Sequence, residues 1–509
     1  MSLIDLINNL SSSEKTQLLG KETTKILRYT FTSRETDAIS SNVLNNAVAL
    51  KMGENLISTN SQRERLIDSI PSSQLGSENH DSLIRNYGKN TERFIEKFNI
   101  ENKYHPIHLE DSRKIFEYSI PVYGECNGKV SFPHDYQLRL KKKILHDLDN
   151  NYFNSMLVTM PTGAGKTVLA MEVIIDLFRS CVSKNDLHIG WFVSSKELAE
   201  QSLLSFQKYW KQKGDRKVLA CRYFGKFNEL HNSKENKITF GGFQLIGQNL
   251  DSRKMREYLS TIDYLVLDEA HGVKADVRNE VINLYKEKND KGQIIGLTAT
   301  PFRNDDTDYS SLKKLFHTYL EITDKEDNII SSPIGFLVEN GYLSKIKFEV
   351  LASTESLNKS EYYQSLHESV IQALQNIIKQ DENVIIFAET KSHAIAISIY
   401  IKSLGIENGL IVGDTSDAKR KQLLNSFEKK ELKVIVNHQI LSTGIDVPGM
   451  NAIMILGEIK SPTLAMQVLG RAMRGPINGG NPSNKIYLTE RNHKKLTDYK
   501  LLEEIVLNR

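Results

Sequence analysis

Short apolar runs separated by amphipathic stretches fill the chain from about residue 119 onward. The first series is MLVTM, IGWFVSS, ITFGG, YLVLDEA and QIIGLTAT, and the second is NVIIFAET, NGLIVGD, KVIVNHQ, NAIMILG and KIYLTE. Apolar runs without polar alternation are typical of parallel strands that are buried on both faces. Two such series, each interleaved with helical patterns, predict two tandem α/β domains with doubly wound parallel sheets, and ligands at the carboxyl ends of the strands.

Residues 1–118 have a different pattern. The spacing of apolar residues in LIDLINNL predicts a short amphipathic helix, and Ser11 with Glu14 fits a capping box at the start of the next one. The segment Ser58–Asn90 is polar with little periodicity, which indicates a loose linker. We therefore predict a mostly helical N-terminal accessory region at 1–118, followed by α/β domains at 119–310 and 311–509. The join between the two domains is expected near ITDKEDNIISS.

Composition narrows the protein class. Hydrophobic residues make up 39% and charged residues 25% of the 509 positions, as in globular proteins rather than disordered ones. The net charge is only +3, so any surface for a polyanion must be local. The isolated Cys126, Cys181 and Cys221 suit a reducing compartment. Without a basic signal region or an apolar run of about 20 residues, we expect a cytoplasmic protein with no membrane partner.

A strand, a glycine-containing loop and a helix meet at MPTGAGKTVLAMEVIIDLF. In a phosphate-binding loop, backbone N–H groups and the helix N-terminus face the phosphates, a lysine neutralises their charge, and a hydroxyl ligates Mg²⁺. Met160 occupies the position of the first glycine in the strict motif, and the alternative is a simple turn with a solvated lysine. The nucleotide-binding candidates of this loop are Met160, Thr162, Gly163, Ala164, Gly165, Lys166 and Thr167.

Two later stretches support the phosphate-loop interpretation. Asp268 and Glu269 directly follow the apolar strand YLVL, where one carboxylate can hold Mg²⁺ and the other can deprotonate an attacking water. A helix start with acids that favour its dipole is the alternative. Arg471 and Arg474 are three positions apart and share a helix face, which suits the charge of a transferring phosphate.

Taken together, residues from about 130 to 490 resemble the superfamily 2 helicases and translocases, because many motifs occur in the order of that family. The resemblance covers Tyr136-Gln137 of an adenine motif with Phe132 as a stacking partner, the loop at 160–167, Ser194–Leu198, TFGGFQ at 239–244, Asp268–His271, Thr298–Thr300, Phe387–Lys391, Gly413 with Thr415 and Arg420, Ser442–Asp446, and Gln467–Arg474.

The resemblance implies that ATP and Mg²⁺ bind between two RecA-like domains. Thr167 and Asp268 would hold the metal, and Glu269 would activate water. The second domain would contribute Gly444, Asp446, Arg471 and Arg474 to the nucleotide site. The residues implied to couple nucleotide and nucleic acid are His271, Thr298, Thr300 and Gln467.

Nucleic acid is implied to cross the opposite face of both domains. Hydroxyl and backbone N–H groups would contact its phosphates, which positions a strand without reading bases. The implied contact residues are Ser195, Gly242, Thr390, Thr415 and Thr443.

The motifs STGID, LTATPFR and MPTGAGKT resemble the duplex-DNA branch that includes restriction translocases (type III restriction subunits) and nucleotide-excision helicases. The resemblance implies DNA as the polymer, a role in bacterial restriction or phage defence, and a nuclease or another defence-system subunit as a partner. An RNA helicase remains open as an alternative. So does a nucleic-acid sensor or assembly subunit that uses ATP as a switch without unwinding.

Three further features have both a structural and a functional interpretation. The basic cluster at 139–143 fits a solvated helix face or a DNA track, and the aromatic-basic stretch at 208–213 fits nucleic-acid contact or a helix that buries Trp210. The accessory region fits a stabilising cap or a regulatory module. If it is regulatory, a chain beginning near Glu117 should stay folded.

Overall fold

The computed structural model describes residues 2–32, 36–75, 77–105, 115–118, 132–148, 154–181, 186–268, 275–299, 314–352, 358–438 and 450–498. The N-terminal part is helical, as predicted. Its helices are α1 (Leu3–Asn8), α2 (Ser12–Leu19), α3 (Lys21–Phe31), α4 (Ser41–Ser58), α5 (Asn60–Asp68), α6 (His80–Leu83) and α7 (Thr91–Lys97). The predicted capping box is present, because Ser11 N–H donates to Glu14 at 2.9 Å and Glu14 N–H donates to the Ser11 hydroxyl at 3.2 Å.

The first α/β domain follows. Its elements are β1 (Ile115–Tyr118), α8 (Asp135–Leu148), β2 (Asn154–Thr159), α9 (Lys166–Ser180), β3 (His188–Val193), α10 (Lys196–Lys213), β4 (Val218–Tyr223), β5 (Lys237–Gly242), α11 (Phe243–Gln248), α12 (Arg253–Leu259), β6 (Tyr264–Asp268), α13 (Ala275–Lys288), β7 (Gln293–Thr298) and β8 (Thr318–Glu321). The described strands form an eight-stranded sheet in the order β1-β4-β5-β3-β6-β7-β2-β8, which is parallel except for β1.

The second α/β domain has a fully parallel sheet. Its elements are α14 (Pro333–Glu339), β9 (Lys345–Leu351), α15 (Lys359–Lys379), β10 (Val384–Phe387), α16 (Lys391–Ser403), β11 (Gly409–Ile411), α17 (Asp417–Glu428), β12 (Val434–Asn437), β13 (Ala452–Ile455), α18 (Pro462–Arg471), β14 (Ser483–Thr489) and α19 (Glu490–Asp498). The strand order is β11-β12-β10-β13-β14-β9. All ten apolar runs that predicted strands are strands here, which confirms the two doubly wound domains.

The accessory helices dock on the second domain. Their apolar side chains belong to the same buried cluster as α15, α16 and one face of the second sheet. Helix α16 is buried on nearly all sides, because the sheet covers one face and α3 with α4 covers the other. A helix that is apolar all round requires this kind of double cover. Within the part of the chain that the structure describes, none of the helices is long and apolar enough to cross a membrane.

The expected loose linker at Ser58–Asn90 is wrong. Helices α5 and α6 lie in this segment and bury Leu66, Ile67 and Leu83. Arg63 is 1% exposed, and its Nε donates to the Gly88 carbonyl at 2.9 Å. Frequent polar residues obscured the helical period, because some of them, such as Arg63, satisfy buried backbone carbonyls instead of facing water.

The sheets extend beyond the predicted domain limits. Strand β1 lies within 1–118 but pairs with β4 of the first sheet, and β8 lies beyond residue 310 but pairs with β2. The stretch ITDKEDNIISS comes directly after β8 and before α14, so the change of sheet occurs where the acidic, polar composition indicated it.

Candidate nucleotide site and nucleic-acid interface

The loop Met160–Gly165 connects β2 to α9 at the carboxyl edge of the first sheet. Its backbone is left-handed at two positions, with φ of 83° at Gly163 and 77° at Gly165, and glycine adopts this conformation without steric cost. Gly165 is the N-cap of α9, so Lys166 and Thr167 form the first turn of the helix. The N–H groups of a first helical turn lack intrahelical partners and provide a site for a phosphate.

Helix α8 holds this loop in place. The Tyr136 hydroxyl donates to the Ala164 carbonyl at 2.8 Å, and the Gln137 amide donates to the same oxygen at 3.1 Å and to the Gly165 carbonyl at 3.3 Å. A Cβ on Gly165 would lie 2.5 Å from Gln137 Nε2. Burial raises the pKa of Tyr136, so its hydroxyl stays protonated and remains a donor. The adenine-reading role of Gln137 stays a prediction, because its amide here bonds the loop.

The neighbouring strand ends bring the predicted acid and the loop to the same edge. Asp268 ends β6 and Thr298 ends β7, and β7 lies between β6 and β2. The Met160 N–H donates to the Thr298 carbonyl at 3.1 Å. Lys166 is 8% exposed, and its Nζ lies 3.4 Å from the Met160 carbonyl oxygen. A buried cation, a buried carboxylate and a helix N-terminus thus meet at one sheet edge.

Helix α18 of the second domain packs directly on the phosphate loop. A Cβ on Gly470 would lie 2.6 Å from Thr162 Cβ, and a Cβ on Gly163 would lie 3.1 Å from Leu343 Cδ2. The contact therefore depends on glycine at 470. Arg471 is the last residue of α18 and is partly buried beside this contact.

The other two predicted residues of this region lie nearby in sequence and structure. Gln467 is one turn before Arg471 on α18 and is partly exposed. Arg474 follows the helix, and its Nε donates to the Asn478 carbonyl at 2.6 Å. Both arginines therefore lie at the C-terminal end of the helix that touches the loop.

The described residues fit a nucleoside triphosphate with Mg²⁺. The loop forms a cradle, and the Thr162 hydroxyl is buried in it with no hydrogen-bond partner among the described residues. Thr167 and Asp268 offer oxygen atoms, and Mg²⁺ usually takes one or two protein oxygens together with phosphates and water. When bound, the metal would neutralise charge on the phosphate oxygens. Across the described ranges there is no cluster of three or more His, Cys, Asp or Glu side chains, which a self-contained metal site would need.

A cavity of about 380 Å³ opens at the carboxyl edge of the first sheet. It brings together Ser195 and Gly242, two of the predicted nucleic-acid contacts. Ser195 caps α10, and its hydroxyl accepts from the Leu198 N–H at 3.2 Å. The residues that line the cavity are Ser194, Ser195, Lys196, Phe224, Gly225, Gly242, Gln244, Leu245 and Gln248.

Two more predicted contacts lie at helix starts of the second domain. Thr390 caps α16 and accepts from the His393 N–H at 3.0 Å. The Thr415 hydroxyl accepts a backbone N–H from three residues upstream at 2.9 Å. The adjacent Ser416 caps α17, and its hydroxyl donates to the Glu54 carboxylate of α4 at 3.2 Å. The accessory region therefore reaches the surface that was predicted to contact nucleic acid.

Several predicted site residues lie outside the described part of the chain, so their roles stay predictions. They are Glu269, His271, Thr300, Thr443, Gly444 and Asp446.

Comparison with known families accounts for this arrangement. The family described as type III restriction enzyme, res subunit, matches residues 131–303, and the helicase conserved C-terminal domain matches residues 369–476. Together the two matches cover more than half of the chain and include both the phosphate loop and α18. The chain belongs to the superfamily 2 helicases.

The relatives of this helicase are distant. A protein of Sulfolobus islandicus filamentous virus, provisionally named helicase 22, is 23% identical over 67% of this chain and 61% of its own length. The provisionally named ATP-dependent helicase IRC3 of Saccharomyces cerevisiae is 23% identical over 62% of this chain and 46% of its own length. The helicase thus spans about half to three-fifths of these relatives.

A solved structure supports the fold of the helicase. The structure of S. cerevisiae Dbp5 bound to RNA and ADP BeF3 aligns with a TM-score of 0.51 at 17% identity. The alignment covers 72% of this chain and 91% of Dbp5. At this identity the likeness establishes the RecA-like fold alone.

The two basic stretches of the helicase have structural partners. Trp210 is fully buried against Phe178 and Phe206, which confirms the interpretation that α10 packs it inward. In the cluster at 139–143, Lys141 lies 2.7 Å from Asp176, and Arg139 donates to a backbone carbonyl at 2.9 Å. These contacts favour a structural role for the cluster over a DNA track.

The predicted stacking residue of the helicase has a different neighbour. Phe132 is 75% exposed, and the Lys213 ammonium lies 5.5 Å from the centre of its ring. Tyr136, whose hydroxyl bonds the phosphate loop, packs edge-on against Tyr342 of the second domain. Sequence reasoning missed Tyr342, because a single tyrosine in NGYLSK carries no motif signal.

Proposed function

We propose that this helicase couples ATP hydrolysis to movement along DNA. The observation that carries the proposal is the packing of α18 on the phosphate loop, with Gly470 against Thr162. A nucleotide held by this loop lies between two domains, so binding favours closure and hydrolysis permits opening. Repeated closure and opening of two strand-binding domains moves a strand through the protein.

The nucleotide site has a separate task for each side chain. Lys166 neutralises phosphate charge, and Glu269 accepts a proton from the attacking water. Arg471 and Arg474 stabilise charge that develops in the transition state. Asp268 and Thr167 hold the metal. Because the arginines come from the second domain, hydrolysis is fast only in the closed arrangement.

The strand is proposed to run from the cavity at Ser195 and Gly242 to the helix starts at Thr390 and Thr415. Hydroxyl and N–H donors lie along this path, and they suit phosphate oxygens rather than base edges. Binding should therefore weaken as salt rises and depend little on base sequence. A preference of about a hundredfold for one sequence would contradict this path.

The test compares ATP turnover with single-stranded DNA, duplex DNA and RNA at equal nucleotide concentration. We expect DNA to stimulate turnover the most. Lys166→Ala should abolish the stimulated rate, and Glu269→Gln should nearly stop hydrolysis while ATP and DNA binding persist. Unchanged turnover in Lys166→Ala would contradict the phosphate-loop assignment.

RNA is the second candidate polymer, because the solved structure with similar fold, Dbp5, is bound to RNA. Stimulation by RNA alone would establish that alternative. A third outcome is that DNA stimulates hydrolysis, but the protein neither separates the strands nor pushes a bound protein off the DNA. That outcome would identify an ATP-switched sensor instead.

The family description also suggests a setting for the activity. The first match is to the res subunit of type III restriction enzymes, so we propose a role in restriction or phage defence together with a nuclease subunit. Co-purification of the tagged chain with a nuclease from its own host would support this role. Full protection activity by the chain alone would contradict the need for a partner.

A further inference from the structure

A chain of polar and aromatic contacts crosses the cleft beside the phosphate loop. His134 precedes α8, and its Nε2 lies 2.8 Å from Asn478 Oδ1 of the second domain. The Asn478 amide nitrogen donates to the Tyr342 carbonyl at 2.9 Å. The side-chain oxygen of Asn478 therefore faces His134 and accepts a hydrogen bond from the Nε2–H group. The His134 ring also lies 4.6 Å from the Tyr342 ring.

Each end of this chain of contacts reaches the nucleotide site. On the first domain, Tyr136 contacts the Tyr342 ring edge-on at 5.0 Å, and its hydroxyl bonds the phosphate loop. The backbone N–H of His134 donates to Gln137 Oε1 at 2.8 Å, which fixes the amide that bonds the loop. On the second domain, the Asn478 carbonyl accepts from Arg474 Nε.

We propose that His134, Tyr342 and Asn478 form an interdomain latch that positions Arg474 when the domains close on the phosphate loop. These three are positioning residues. They contact Arg474 and the residues that bond the phosphate loop, and their proposed role requires no contact with the reacting atoms. The inference rests on the proposed function, because it assumes that Arg474 acts on the nucleotide.

The geometry explains why closure and arginine placement are linked. Asn478 lies in a tight turn four residues after Arg474, and a Cβ on Gly475 in that turn would lie 2.6 Å from the Tyr342 carbonyl carbon. The turn and Tyr342 therefore move as one packed unit. When His134 bonds Asn478, it fixes the carbonyl that holds the Arg474 guanidinium. When the domains part, that constraint is lost.

The test measures stimulated ATP turnover and ATP affinity separately. His134→Ala and Tyr342→Leu should each lower kcat about tenfold or more, with less than about a threefold change in ATP dissociation constant. His134→Gln keeps an N–H donor for Asn478 and should recover part of the rate. His146→Ala is the matched control, since His146 lies on α8, which His134 directly precedes, and its side chain is 89% exposed, so the rate should not change.

Two further measurements separate the latch from the proposed function. In the double variant, the effects of His134→Ala and Asn478→Ala on kcat should be less than additive, because each substitution removes the same contact. Small-angle scattering should give a larger radius of gyration for His134→Ala than for wild type, and this measurement needs no activity.

The outcomes are distinguishable. If Arg474→Ala does not reduce turnover, the proposed arginine role is wrong. If Arg474→Ala reduces turnover but His134→Ala and Tyr342→Leu leave both kcat and the radius of gyration unchanged, the latch is wrong and the proposed function stands. Fully additive effects in the double variant would also overturn the latch.

Discussion

The second α/β domain has two interfaces that differ in how closely its helices pack. Toward the accessory helices it shares a continuous apolar core, in which Leu27 of α3 is fully buried and the Tyr29 ring stacks on Tyr363 at 6.3 Å. The hydroxyl groups of Thr23 and Ser392 add a buried hydrogen bond of 3.1 Å.

Toward the first domain, buried apolar residues also form a continuous cluster, but none of the described helices and strands packs along an element of the second domain as α3 and α4 pack along α16. Beside the phosphate loop the contact includes Gly470, a few aromatic rings and the bond between His134 and Asn478. Apolar burial is the larger source of stabilisation, and small polar contacts are the kind that domains make and break. We therefore expect the accessory helices and the second domain to form one permanent unit, and the cleft to be the joint that opens.

The largest effect is expected from a charge placed in the permanent interface. Leu27→Asp would bury an unpaired carboxylate between α3 and α16 and should reduce the free energy of unfolding by about 3–5 kcal/mol. Urea unfolding measures the loss. Lys21→Ala changes net charge by the same amount at an exposed position of α3 and should change stability by less than about 0.5 kcal/mol. Equal stability of Leu27→Asp and wild type would contradict a shared core.

Deletion of the accessory region also tests whether the second domain needs the apolar cover that these helices provide. A chain that begins near Glu117 leaves the outer face of α16 uncovered and cuts β1, so we expect aggregation. This reverses the expectation that such a chain stays folded, and it favours a stabilising role for the region. A soluble, cooperative truncated protein would show that the cover is dispensable.

Gly470→Ala should separate folding from closure. The new methyl group would meet Thr162 across the cleft, while alanine within α18 raises intrinsic helix stability by up to about 1 kcal/mol. We expect an unchanged or raised melting temperature and a loss of stimulated ATP turnover of about tenfold or more. Lys379→Ala, at the exposed last position of α15, is the control and should leave turnover intact. A fully active Gly470→Ala protein would contradict the tight contact.

The free energy of unfolding of the permanent unit should also decrease in acid. His367 Nε2 and His393 Nε2 lie 3.0 Å apart in its core, and burial lowers the pKa of His393 to about 3 and the pKa of His367 well below its usual value. Both are neutral when folded but take up protons when unfolded, so stability is complete above about pH 6.5 and falls as pH drops below it.

Between pH 7.5 and 5.5 the expected loss of stability is about 1.4 kcal/mol for each histidine, because the slope reaches its full value only well below pH 6.5. Urea unfolding between pH 7.5 and 5.5 measures it, a range in which carboxylates do not titrate. His367→Gln should halve the contribution of the pair, and the exposed His146→Gln should leave it unchanged. The groups that face the pair are Tyr363, Tyr400, Glu389 and His438. A pH-independent stability in this range would contradict the neutral pair.

The smallest effect is expected where the permanent unit meets the proposed strand path. Glu54 accepts the Ser416 hydroxyl hydrogen bond at the start of α17. Glu54→Gln removes a negative charge beside that path and should tighten DNA binding by about two- to threefold at low salt, with less effect at high salt. Fluorescence anisotropy measures the change, and Glu428→Gln at the exposed C-terminal end of α17 is the control. Weaker binding by Glu54→Gln would contradict a repulsive role.

Much of this molecule could be predicted from sequence, because its sheets are parallel and buried. Every predicted strand run is apolar on both faces, and the phosphate loop has the glycine conformations that its spacing requires. Among the strands that the pattern did not predict, β9 has a weaker signal: it alternates charged residues with apolar ones, since it lies at a sheet edge. Sequence spacing cannot show that residues 342 and 478 meet residue 134, because that contact depends on how two domains approach each other.

One missed signal was available in the sequence. Helix α16 reads KSHAIAISIYIKS and is apolar on all sides, which predicts cover on its outer face. The amphipathic helices of the accessory region were the apolar segments that the two predicted α/β domains did not use. Their docking on α16 could therefore have been inferred. The linker prediction failed for the opposite reason, because buried Arg63 reads as a surface residue.

The permanent interface has a consequence for how the chain is made. Thr23 and Ser392 bond each other although they lie 369 positions apart in the chain. At synthesis rates of about 5–20 residues per second, α3 emerges roughly 20 to 70 seconds before α16 exists. During that interval the ribosome produces the whole first domain while the apolar face of the early helices has no permanent cover. The helices that are synthesised first therefore complete their packing last, and their exposed faces are natural clients for chaperones.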